Sequence, residues 1–239
     1  TCFANCVSLT SLTLTGVETI GERAFYNCKV LTNVKLNEGL KEIKDNAFQR
    51  CVALETLELP ASVEKTGAKL FLQCPEFSGF TVVAGSTHMM TADGVLYSKD
   101  KTTLYECPQT LKSDNFVVPA ETKLIRSMAF FECQDIKAIT LPANLEKVGT
   151  GALSNNGMAL FNFTTNQYMV HEDNALYYRS TTGKGLYLIA VPCKGTKTEF
   201  MLQPKTSYVA DYAFSYNNNV QKIYLPDSVV GIGERAFYA

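Results

Sequence analysis

The residues best equipped for chemistry in this chain are eight cysteines, a recurring acidic position and two histidines. Thiolates bind zinc or attack electrophiles, and paired carboxylates can work as acid and base at a glycosidic bond. Spacing decides whether they do. Cys6, Cys28, Cys51, Cys74 and Cys133 fall at one repeated position, and Asn217 holds that position in a later copy. No Cys-x2-Cys pair accompanies them. Asparagine can neither form a disulfide nor offer a thiolate, so the shared role is burial with weak hydrogen bonding. Cys2 reads as a small core filler. Cys107 and Cys193 lie outside the column, and their redox state stays open.

The acidic position gives Glu22, Asp45, Asp211 and Glu234, but Ser127 and Thr150 occupy it in other copies. Serine and threonine cannot replace a carboxylic acid, whereas all of these side chains cap backbone N–H groups. Capping is the expected role. His88 and His171 each lie just upstream of an insert hairpin and have no cysteine or acidic cluster nearby, which places them in solvated loops rather than at a metal. No G-x-S-x-G, glycine-rich phosphate loop or H-E-x-x-H is present. Asn162-Phe163-Thr164 matches a glycosylation sequon, but it falls in an expected strand and matters only in a eukaryotic secretory setting. The sequence therefore predicts no catalytic, cofactor-binding or metal-binding residues.

These positions recur because the chain repeats. Residues 20–42, 43–65 and 125–147 are three 23-residue copies of I-x-x-x-A-F-x-x-C-x-x-L-x-x-L-x-L-P-x-x-L, with conservative swaps. A fourth runs over 209–231, and weaker copies begin at Thr66 and Val148. The first weak copy has Leu70 for Ala. The second has Leu153 for Phe and is one residue short before Phe161 and Phe163. Partial copies at both ends lead to the expectation that the chain is a fragment of a longer protein.

Repeats cover residues 1–82, 125–164 and 209–239, and two inserts interrupt them at about 83–124 and 165–208. Both inserts carry Asp-x-x-Leu-Tyr, at Asp93 to Tyr97 and Asp173 to Tyr177. Each reads as a β-hairpin, with turns at Ser98-Lys99-Asp100-Lys101 and Thr181-Thr182-Gly183-Lys184. Within a repeat, Leu54, Leu57 and Leu59 have the alternation of a half-buried strand, which Pro60 ends. Ala-Phe-x-x-Cys reads as a short helical turn behind that strand. The expected architecture is one α/β repeat solenoid over 1–239, with one parallel strand and one helical turn per coil.

The repeated motif resembles the BspA-like leucine-rich repeats of surface proteins from host-associated bacteria and some protists. That resemblance implies a secreted or cell-surface setting and adhesion to a protein, host matrix or cell-surface ligand, including glycans. Composition adds exclusions. A net charge of −1 with dispersed charges gives no reason to expect nucleic acid. The longest apolar run, 186–192, is far short of the roughly 20 residues of a membrane span. Thr1-Cys2-Phe3-Ala4 does not open like a signal peptide.

Between the buried leucines lie Thr13, Lys35, Glu58, Thr81, Thr140 and Tyr224, the expected contact stripe of a non-catalytic binding module. Tyrosines in the inserts (Tyr97, Tyr105, Tyr177, Tyr178, Tyr187) either add contact surface or pack the inserts down. Two other readings compete: a β-helix-like enzyme acting on polysaccharide, and a passive spacer of a larger surface protein.

Overall fold

The computed structural model describes residues 2–163, 165–180 and 185–238. The chain forms two compact units, Thr1–Leu111 and Lys112–Ala239. In the first, β1 (Ser11–Thr13), β2 (Thr19–Ile20), β3 (Asn33–Lys35), β4 (Glu42–Ile43), β5 (Thr56–Leu59), β6 (Lys65–Thr66) and β7 (Gly79–Val82) belong to the coils. The insert supplies β8 (Met89–Ala92), β9 (Val95–Ser98) and β10 (Thr103–Glu106). The face strands pair in parallel, β1 with β3 and β5 with β7, and a second row, β2-β4-β6, runs behind the first turn of each coil. Each coil thus carries two strands, one more than the sequence motif suggested.

The second unit repeats the plan. Its coils hold β11 (Phe116–Val117), β12 (Leu124–Ile125), β13 (Ala138–Leu141), β14 (Lys147–Val148) and β15 (Leu160–Phe163). The insert strands β16 (Met169–Glu172), β17 (Ala175–Arg179) and β18 (Leu186–Ala190) follow, then β19 (Glu199–Met201), β20 (Thr206–Val209), β21 (Lys222–Tyr224) and β22 (Gly231–Ile232). Parallel face pairs are β11-β13-β15 and β19-β21, and the second row pairs β12 with β14 and β18-β20-β22. Ile139 and Leu141 face Phe161 and Phe163, so that coil is one residue shorter, as the sequence indicated.

The helical turn is not there. No helix occurs among the described residues. Each Ala-Phe arc instead carries two left-handed residues four apart, such as Arg23 and Asn27 (φ 51° and 62°) or Asn46 and Arg50 (φ 57° and 63°). These reversals turn alternate N–H groups out of the coil. Ala24, Tyr26 and Cys28 close local turns onto Gly21, Arg23 and Phe25, while Arg23, Phe25 and Asn27 donate to Asp45, Ala47 and Gln49 of the next coil. A helix would use those donors internally and leave the neighbouring arc unpaired. Left-handed geometry costs roughly 1–2 kcal/mol per non-glycine residue, and the inter-coil bonds offset it. The fold is therefore a β repeat solenoid in each unit, not an α/β one.

The core follows the columns. In the first unit Phe3, Phe25, Phe48 and Phe71 stack with centroids 5.3–5.5 Å apart and planes within 11° of parallel. That spacing is slightly above the roughly 4.8 Å between strands, so the rings stack offset. Leu31, Leu54 and Leu57 are buried beneath them. In the second unit Phe130 is fully buried with its edge against Phe116, and Phe200, Phe214 and Tyr177 share another cluster.

Each insert is a three-stranded antiparallel meander rather than a single hairpin, in the orders β8-β9-β10 and β16-β17-β18. The additional hairpins turn on Asp93-Gly94 and Asp173-Asn174, all four residues with positive φ. Two-residue turns of this kind match strand twist and favour Asp-Gly and Asn. The expected turn at 98–101 is present, with Lys101 left-handed, whereas the one at 181–184 lies outside the described residues.

Candidate binding face

The column that looked most reactive is structural. Cys28, Cys51 and Cys74 each point a thiol at a phenylalanine carbonyl of the preceding coil, Sγ to O 3.2 Å on Phe3, Phe25 and Phe48. Asn217 does the same job with its amide, Nδ2 to Pro192 O 2.9 Å. What the column requires is a short side chain that donates. Burial pushes the Cys51 thiol up to about 12, with a smaller push from Cys28, and raises Cys28 and Cys74 as well. A thiolate is thereby withheld at neutral pH. Cys107 and Cys193 are also buried, and the Cys193 thiol reaches Ser215 O at 3.6 Å. Cys2 is exposed, contrary to its expected place in the core.

In the acidic column Asp45 and Asp211 cap backbone, but across coils, while the Glu22 and Glu234 carboxylates lie exposed beside Arg23 and Arg235 at 3.9 and 3.5 Å. Asp45 Oδ1 accepts from Ala68 N at 2.9 Å, and Asp211 Oδ1 accepts from Glu234 N at 2.8 Å. Glycines accompany this close approach. A Cβ on Gly67 would stand 2.2 Å from Asp45 N, and one on Gly233 would stand 2.2 Å from Asp211 Oδ1. Among the described residues no three His, Cys, Asp or Glu side chains group as a metal site. His88 is exposed beside Thr87. His171, expected in a loop, lies half-buried in β16 near the Phe163 ring, and burial lowers its pKa.

The stripe residues all sit on face strands. In the first unit Thr13 pairs with Lys35 and Glu58 with Thr81, all exposed, while Leu57 and Leu59 point into the core. In the second unit Thr140 is half-buried between Val117 and Asn162 in register. Its hydroxyl and the Asn162 amide both donate to Asn115 Oδ1, at 3.0 and 3.1 Å. Tyr224 is 45% exposed and its hydroxyl donates to Glu199 Oε2 at 3.1 Å, with Lys222 Nζ on Oε1 at 3.1 Å. The bond to Glu199 raises the pKa of Tyr224.

Sequence reasoning missed Val117 and Met201, the most exposed apolar residues on this face at 62% and 67%. Both belong to coil strands, β11 and β19, hidden inside what read as inserts. The signal was available: Phe116-Val117-Val118-Pro119 ends like the L-x-L-P of the clear copies. The insert tyrosines mainly pack: Tyr97 and Tyr177 are buried, the Tyr178 hydroxyl lies against the Val148 backbone, and Tyr187 alone reaches 40% exposure among these.

A family model for the BspA type leucine-rich repeat region matches six copies, over residues 1–97, 100–184 and 193–239. The chain belongs to the BspA-type leucine-rich repeat family. Among solved structures, this BspA-type chain resembles a leucine-rich cell surface protein of Faecalibacterium prausnitzii A2-165, with TM-score 0.72 and 23% identity, over 99% of this chain and 59% of that one. It also resembles the pneumococcal vaccine antigen PcpA, with TM-score 0.65 and 23% identity, over 94% of this chain and 56% of that one. The chain thus spans under two-thirds of either neighbour's length, and the likeness shows the fold. No curated protein matches it. No helix among the described residues is long and apolar enough to cross a membrane.

Proposed function

We propose that this BspA-type chain is a non-catalytic binding module of a secreted or cell-surface protein, engaging a protein or host-surface ligand through its strand faces. One observation carries the reading. Inward residues of the face strands are fully buried on β5 (Leu57, Leu59) and partly buried on β1, β3 and β21 (Leu12, Val34, Ile223). Thr13, Lys35, Glu58, Thr81 and Tyr224 project, Thr140 is half-buried, and all six are held in register by backbone pairing. Register fixes side chains at strand spacing without the entropic cost of ordering a loop on binding. Met201 beside Tyr224 adds the residue types enriched where protein partners meet.

The non-catalytic part rests on Asp45 and Asp211, whose carboxylates are spent on backbone N–H groups of the next coil. The surface setting rests on the family and on the neighbour described as a cell surface protein. The test is a binding screen of the chain against extracellular-matrix proteins and a glycan array. Tyr224→Ala and the charge swap Lys35→Glu with Glu58→Lys should weaken any captured ligand without moving the unfolding midpoint. Binding that is indifferent to all of these positions defeats the reading, and so does capture of nothing.

A further inference from the structure

Both inserts finish the coil ahead of them with atoms that stand in for the coil that would come next. In a regular arc the phenylalanine N–H donates forward, Phe25 to Ala47 O and Phe48 to Leu70 O. At the fourth coil there is a carboxylate instead: Glu106, buried at the end of β10, accepts from Phe71 N and Leu70 N, each at 3.2 Å. Gln109 Nε2 then donates to Phe71 O at 2.8 Å. On the sheet side, the Asp93-Gly94 tip brings Gly94 O to Phe80 N of β7 at 3.1 Å. That approach needs glycine on both sides, since a Cβ on Gly79 would stand 2.7 Å from Gly94 Cα.

The second insert solves the same problem with different atoms. Its Asp173-Asn174 tip places one side-chain amide on the edge of β15. Asn174 Oδ1 accepts from Phe161 N at 3.0 Å, and Asn174 Nδ2 donates to Ala159 O at 2.8 Å. Those are the groups on either side of Leu160, the pair that a parallel neighbouring strand would engage. An amide side chain is thus imitating a peptide unit. Tyr178, from the same insert, lays its hydroxyl against the N–H and carbonyl of Val148 in β14.

We infer that the inserts are internal end caps, and that the Asn174 tip keeps the β15 edge closed to strand addition by a second copy of this chain. Unpaired parallel edges recruit other chains, and every copy carries strands of matching length and register. That two inserts reach one outcome through a carboxylate, a glycine carbonyl and an asparagine amide points to capping itself as the shared requirement.

The discriminating variant is Asn174→Gly in the full chain. Asn174 has φ 59°, which glycine adopts readily, so the turn is kept while the amide is removed. Residue-resolved hydrogen exchange should show Phe161 N–H exchanging roughly tenfold faster, as for loss of one hydrogen bond, with Ile139 unchanged. Light scattering should show a mass that rises with concentration in the variant and not in the parent. Unchanged exchange at Phe161 overturns the cap, and a variant mass that does not respond to concentration overturns the closed edge. Glu106→Gln tests capping independently: Leu70 or Phe71 N–H should lose protection while Phe48 keeps it, and retention at both overturns it for the first insert.

Discussion

Removing the ring of Phe48 is the sharpest test of the stacked interior. The side chain is fully buried between the rings of Phe25 at 5.3 Å and Phe71 at 5.5 Å. Burial of such a side chain is worth about 1.5–3 kcal/mol. Each offset ring pair adds about 0.5–1.5 kcal/mol, and here there are two. Their sum agrees with the roughly 3–5 kcal/mol lost when buried aromatics become alanine. Phe3 is the internal control, because it is 46% exposed and stacks on one ring at 5.5 Å. Phe3→Ala should cost about 1 kcal/mol from one ring pair and partial burial. Phe48→Leu restores most of the volume without the ring and should fall between, at about 1–2 kcal/mol. Urea denaturation, with exchange at Cys51 N–H and Leu54 N–H reporting on the first unit, reads all three. With a slope of about 1–3 kcal/mol per molar, Phe48→Ala should lower the midpoint by around 2 M. An unmoved midpoint, or equal losses at Phe3 and Phe48, refutes the stack as a source of stability.

Four further outcomes are expected. A thiol reagent at pH 7 should label exposed Cys2 quickly and leave Cys28, Cys51 and Cys74 untouched, with all eight cysteines titrating after unfolding without reductant; fewer than six contradicts the thiol assignment. Because Cys51 holds its proton up to about 12 when folded, its contribution is intact below the ordinary thiol pKa and is lost as pH rises from about 9 towards 12, so urea midpoints should decline across that window. Gly67→Ala should destabilise severely, since the new Cβ meets Asp45 backbone at 2.2 Å, whereas Gly21→Ala, with nothing within 4 Å, should be neutral or slightly stabilising in the same melts. Asp100, whose carboxylate accepts from the Ser98 hydroxyl and from Thr102, should titrate by NMR at about 2; its support for the β9–β10 turn is present above the ordinary carboxylate range and fades as pH falls towards 2.

The sequence made the columns legible because a position shared by every coil averages over local accidents. Phe25, Phe48 and Leu57 read as core on periodicity alone, and that is where they lie. The asparagine at 217 pointed to a hydrogen-bonding role shared with the cysteines, and its amide donates to a carbonyl of the preceding coil as the Cys51 thiol does. The helical turn failed for a physical reason: Ala-Phe-x-x-Cys has helix-compatible spacing, but the arc must lend half its N–H groups to the next coil. Asn5, Asn27, Asn46 and Asn155 hinted at left-handed backbone, yet Arg50, Glu132 and Tyr216 take the same conformation with no such preference in their side chains. Of the candidate face, the exposure of Lys35 and Glu58 was legible from alternation. The Asn115 network around Thr140 was not, since it joins residues from coils whose alignment begins inside an apparent insert.

The arcs have a consequence for how such chains change over generations. Away from the inserts, each coil hands its outward N–H groups to the one ahead and receives the matching groups from the one behind, through the same backbone atoms. A stretch of coding sequence one coil long, copied or lost by recombination, leaves complementary neighbours on both sides of the join. Length can therefore drift without a new interface having to be invented, while side chains vary as Cys74 and Asn217 do within one constant geometry.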